Sequence, residues 1–148
     1  MKNNSGLKIH GHMEIKLYKP DGTVIARRKD NIIVNAGFTF ICDALGNAGA
    51  RPAVLSHIAI GTDPTATDVS QTALLAEIFR KAATFSKPAV NQFQLDVLFS
   101  EGEGTGTLRE AGVFNASSGG TLFDRVVYSP LIKAADDVIT QRFIFTLS

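Results

Sequence analysis

The chain has 148 residues, 45% of them hydrophobic and 20% charged, with a formal net charge of +1. These are the values of one globular domain, and a chain of this length buries roughly 68–70% of its unfolded surface. The near-neutral balance lacks a nucleic-acid binder's basic footprint, no run reaches the roughly 18 apolar residues of a spanning helix, and a lone cysteine excludes an internal disulfide.

Residues Met1–His12 read as a polar, flexible arm ahead of a single domain over residues 13–148. The arm has no apolar core of a secretory signal. Leu7 and Ile9 within it are expected to be assembly contacts, buried against a neighbouring subunit. Met13, Ile15 and Leu17 alternate with Glu14, Lys16 and Tyr18, which predicts a first strand. Lys19-Pro-Asp-Gly22 is turn chemistry, and the chain returns through Val24 to Val34 as a hairpin.

From Asn35 the period becomes helical. Phe38, Ile41, Cys42 and Leu45 share one face, Asn35 is placed as N-cap, and Gly46-Asn47 as stop, so a short helix over 36–45 is expected. Cys42 is read as a small buried hydrophobe of that face. Leu55–Gly61 is the next strand, and Thr62–Asp68 a polar loop. The stretch from Thr72 to Phe79 fits one helical turn or the start of a strand that continues to Phe85.

The clearest period of two follows. Phe93, Leu95, Val97 and Phe99 lie on one face, and Phe143, Phe145 and Leu147 repeat the device near the C-terminus. Between them, Thr107–Phe114 and Thr121–Tyr128 are strands divided by Asn115–Gly120. Roughly eight strands at this spacing predict an all-β fold, an antiparallel β-sandwich with one short helix; a jelly-roll-like arrangement or a partly closed barrel is the alternative.

The chemistry-bearing patterns are weak. Glu101-Gly-Glu-Gly-Thr-Gly106 lacks the Lys-Ser/Thr ending of a phosphate loop, and its carboxylates would repel an anion. His10 and His12 would share a strand face, yet no third metal ligand accompanies them in sequence, and His57 stands alone. Asp63, Asp68, Asp136 and Asp137 lack the ligand rhythm of a calcium loop. Glu77, Glu101, Glu103 and Glu110 offer carboxylate pairs of no specificity. No catalytic, metal or cofactor site is therefore expected. Arg80 and Glu110 each sit among apolar strand residues, where a charge needs a partner, so an Arg80–Glu110 ion pair is expected.

An ordered set of segments carries a resemblance. These are Asp21-Gly-Thr-Val24, Asn31–Gly37, Ile58-Ala-Ile-Gly-Thr-Asp-Pro-Thr65 and Ala73–Arg80, then Leu108-Arg-Glu-Ala-Gly-Val-Phe114, Gly120–Val127 and Ile132–Asp137. In this order they resemble a β-module of tailed-bacteriophage virion structural proteins, associated with tail fibre, collar or baseplate, or with head decoration. The resemblance implies a non-enzymatic protein of the virion, assembled in the host cytoplasm and working in many symmetric copies without a cofactor. Its partners would be capsid, neck or tail subunits and further copies of itself, with neither nucleic acid nor membrane. At this length, a small adaptor or surface decoration is expected rather than a complete fibre. The competing reading is a receptor- or carbohydrate-binding sandwich that meets a host glycan through the loops Thr62–Asp68 and Asn115–Gly120.

Overall fold

The structure, a computed structural model, describes residues 6–148. The chain folds as two five-stranded sheets packed face to face, with one short helix. Strand β1 (Ile9–Tyr18) turns through Lys19–Thr23 into β2 (Val24–Asp30). Gly22 takes a φ of +89° there, and the Asp21 carboxylate accepts the Thr23 N–H at 2.8 Å. The chain then passes through Asn31 into the two-residue β3 (Ile32–Ile33) and helix α1 (Asn35–Gly46). After β4 (His57–Gly61) come β5 (Glu77–Ala82), β6 (Thr84–Ala89), β7 (Gln92–Phe99), β8 (Gly106–Phe114), β9 (Leu122–Lys133) and β10 (Val138–Leu147).

One sheet has the order β2-β1-β10-β7-β6 and the other β3-β9-β8-β4-β5, with all pairings antiparallel. The sheets share their corners. β2 leads through a single residue into β3, and β5 through Ala83 into β6, so one bent strand serves both sheets at each side. With each corner counted once, eight strands surround the core, which gives the sandwich the partly closed character of a barrel.

The core lies where the period of two places it. Met13, Ile15 and Leu17 of β1, Leu95 and Phe99 of β7, and Ile139, Phe143 and Phe145 of β10 are all fully buried. They face Leu108, Ala111, Val113, Phe123 and Val126 of the other sheet. A bulge between Leu108 and Glu110 shifts the phase of β8. It sends Ala111 and Val113 inward and leaves Glu110 and Phe114 on the outer face of the sheet, where Leu74, Ala59 and Leu122 cover Phe114.

Three local expectations are corrected. The arm expected over 1–12 ends earlier: residues 9–12 already belong to β1 and pair with Leu147 to Ile144 of β10, while residues 1–5 of that arm lie outside the described residues. The helix is capped at Val34 rather than Asn35, without a side-chain hydrogen bond. Its inward side consists of Gly37, Phe40 and Ile41, because Gly37 sits so close to the Phe123 carbonyl that a Cβ would overlap it. That rotation turns Phe38, Cys42 and Leu45 outward, so Cys42 is exposed rather than buried.

Candidate interaction site

The outward rotation of α1 leaves an apolar groove of about 680 Å³ at one end of the sandwich. Its floor is aromatic. Phe40, Phe93 and Phe123 form it: Phe123 meets Phe40 edge-on at 5.7 Å, and the buried Phe145 behind them meets Phe123 edge-on at 5.2 Å and stacks on Phe93 at 4.9 Å. Its rim is formed by Leu7 and Ile9 ahead of and at the start of β1, Phe38 and Leu45 of α1, Leu55, and Leu147 at the end of β10. Leu7 and Leu45 are 73% and 75% exposed and Phe38 50%, and Lys8 is the one charged residue of the lining. Leu7 and Ile9 thus stand together on one rim, Ile9 also packing against the core. Phe40 and Phe123 were not singled out in the sequence. The Gly37-to-Phe123 approach that aims them lies between segments far apart in the chain.

The expected Arg80–Glu110 pair does not form. Both residues carry an ion pair, with different partners. Arg80 holds Glu77 three residues away through two bonds of 2.9 and 2.7 Å. Its guanidinium carbon lies 3.6 Å from the centre of the Phe114 ring, and Nη1 donates to the Ala116 and Gly119 carbonyls, which fixes the Asn115–Gly120 loop. Glu110 pairs instead with Arg125 of β9 and accepts the backbone N–H groups of Leu75 and Ala76. Arg125 also donates to the Thr65 carbonyl and the Gln71 side chain. The sequence pattern points to Arg80 of β5 as the partner of Glu110 because period-two reasoning shows neither the β8 bulge nor Arg125 of β9 beside it.

This staple gathers the motif segments. Gly61 leaves room for the Glu110 carboxylate, since a Cβ there would overlap Oε1. Thr65, Leu75, Glu110 and Arg125 come from separate segments of the ordered set and meet within hydrogen-bonding distance. The Thr62–Asp68 loop is consequently clamped to the sheet at Thr65, and Asp63 reinforces its own turn by accepting the Thr65 N–H, which lowers its pKa.

The histidines are partly gathered. His12 lies opposite Asp30 in the β1–β2 register, and both His12 Nδ1 and His10 Nε2 contact Asp30 Oδ1, at 2.9 and 3.3 Å. Asp30 is held below the ordinary aspartate value, chiefly by the hydrogen bond from His12. Both histidines contact the one carboxylate, and among the described residues no group of three His, Cys, Asp or Glu is arranged to hold a metal ion. His57 bonds the neighbouring Ser56 hydroxyl, and burial followed by the Arg80 charge lowers its pKa. Glu103 closes the Glu101–Gly106 loop through the Ser100 N–H and Lys81.

A second, polar hollow of about 480 Å³ lies on the outer face of the first sheet, lined by Glu14, Lys16, Tyr18, Asp96, Thr140 and Arg142 among others. Its charges satisfy one another: Arg142 donates to Asp96 at 2.6 Å and Lys16 lies 3.4 Å from Glu14. Among the described residues no helix is long and apolar enough to cross a membrane. No protein-family model, curated protein or solved structure matches the chain.

Proposed function

We propose that this chain is a non-enzymatic structural protein of a tailed-phage virion, a small adaptor or decoration subunit that works by binding neighbouring subunits. The observation that carries the proposal is the exposed apolar rim of Leu7, Phe38 and Leu45 over an aromatic floor. A surface patch of this kind is costly in water and marks a contact surface. The occupant in this reading is an apolar segment of a neighbouring capsid, neck or tail subunit. The ordered motif set supports the assignment to virion proteins, since its members supply one structural staple rather than a reactive cleft. Repetition by symmetry would let modest contacts of this size hold the subunit firmly.

The test is incorporation. Particles assembled with Phe38→Ser/Leu45→Ser protein should lose the subunit in a wash that spares the wild type. Full occupancy of the doubly substituted protein would overturn the reading. A second reading, glycan binding, is favoured by Tyr18 beside the carboxylates of the polar hollow, an aromatic face with hydrogen-bonding rims. Glycan-array binding lost on Tyr18→Ala would select it.

A further inference from the structure

Among the described residues, Asp124 is the one carboxylate of the sandwich interior without a cation. It is fully buried, and its register partner on β8 is the inward-facing Val113. Only two groups meet it: the Val113 N–H, donated to Oδ1 at 3.2 Å, and the Asn31 amide, 2.5 Å from Oδ2. The charged side chains of the surrounding elements are engaged elsewhere. His10 and His12 both contact Asp30 across β1 and β2, and Arg125 and Glu110 pair on the outer face of the other sheet. An ionised carboxylate here would stand in an apolar core with no counter-charge.

We propose that Asp124 is a neutral carboxylic acid in the folded protein, its O–H donating to the Asn31 side-chain oxygen, and that this shared proton latches the β2–β3 corner to β9. Two features of the contact agree with a proton between two oxygens. A separation of 2.5 Å is short for an N–H donor and falls at the short end of the range for O–H to O. Turning the Asn31 amide end for end brings Oδ1, otherwise buried with no donor, against the acid and puts the NH2 group in the place that oxygen leaves. Burial, the dominant cause, raises the Asp124 pKa to about 8 from 3.8.

The latch sits where the fold is thinnest. Asn31 is the single residue between β2 and β3, and β3 pairs with β9 only at Arg125 and Asp124. Loss of the proton places a charge in the core, and the nearest relief is to part this two-residue pairing and admit water. Phe123, next to Asp124, lies on the floor of the apolar groove, so opening the corner would disturb that floor.

The linkage has a definite sign. The folded state holds the Asp124 proton more tightly than the unfolded chain, so stability from this group is complete below about pH 4 and is lost as pH rises through about 8. Within that window the folding constant falls by up to about tenfold per pH unit from this group. The test follows the Asp124 carboxyl carbon by NMR in the wild-type protein and urea unfolding against pH for wild type and Asp124→Asn. The proposal expects a carboxyl still protonated at neutral pH, and a decline in stability between about pH 4 and about pH 8 that is absent in the variant. It also expects faster amide exchange at Ile32 and Ile33 as pH rises. A wild-type carboxyl that titrates near about 4 would overturn it, even if the variant failed to fold, as would an unchanged pH curve in a folded Asp124→Asn protein.

Discussion

The Glu110 carboxylate and the Arg125 guanidinium meet at 2.8 Å with neither side chain exposed to solvent. The pair does more than neutralise two buried charges, because its remaining bonds run to Leu75, Ala76 and Thr65 of the segment that covers the second sheet. Arg125 Nη2 contributes charge contact without a well-aligned hydrogen bond, so the staple's strength rests on Nε and Nη1.

Removing one partner should therefore be severe. Glu110→Ala leaves a buried guanidinium without its paired carboxylate and the Leu75 and Ala76 N–H groups without acceptors, and is expected to cost about 3–5 kcal/mol. Urea unfolding measures this, with hydrogen exchange across residues 62–76 reporting release of the covering segment. A loss below about 1 kcal/mol would show that water replaces the staple. Replacing both partners with apolar residues should cost less than Glu110→Ala alone.

The sandwich was legible because its code is local. Phe93 to Phe99 and Phe143 to Leu147 carry a period of two that only Leu98 and Ile144 break, and the structure buries Leu95, Val97, Phe99, Phe143 and Phe145 together. The helix was legible as an element, but its orientation was not. Phe38, Ile41, Cys42 and Leu45 look like the buried stripe by spacing, and what selects Gly37, Phe40 and Ile41 instead is the backbone of β9, remote in sequence. The charge pairing failed for a related reason. Arg80 and Glu110 were rightly expected to need partners, but a bulge in β8 and the fold-back of Leu75–Ala76 decide which partners they meet. Leu7 and Ile9 could be singled out as apolar residues in polar company, whereas the groove they border requires α1 in place.

Gly37 is the position where a methyl group should matter most. The α1 backbone there lies against the Phe123 carbonyl, with Ile33 on the other side of the space a Cβ would occupy. Gly37→Ala gains helix propensity, yet should destabilise by about 1–3 kcal/mol because backbone cannot yield as a side-chain tip can. Thermal unfolding with near-ultraviolet dichroism of the aromatic floor reads both parts of the effect. A rise in stability would mean that α1 is not seated on β9 at this distance.

Gln141 gives a prediction of opposite sign. It occupies an inward position of β10 between Ile139 and Phe143, is 1% exposed, and neither its amide nitrogen nor its oxygen has a protein partner. In register it flanks Ile15 and Val97, so its surroundings are hydrocarbon. Gln141→Leu removes an unsatisfied amide at similar volume and should stabilise by about 1–3 kcal/mol. A destabilised variant would indicate a buried water that completes the amide's bonds.

Two truncations separate arm from strand. Lys8 and Ser148 exchange backbone hydrogen bonds of 2.7 and 3.0 Å, and residues 9–12 continue that ladder against β10. Ile9 packs on the core and Gly11 accepts the Asn31 N–H through its carbonyl at 2.9 Å. Removing residues 1–6 leaves all of this in place and should alter the urea midpoint very little. Removing residues 1–12 deletes the paired start of β1, with ladder bonds of about 1 kcal/mol each and part of the roughly 1.5–3 kcal/mol from a buried isoleucine. That truncation should therefore lose about 3 kcal/mol or more in the same assay. Equal midpoints for the two truncated proteins would restore the longer arm, ending at His12, that composition alone implied.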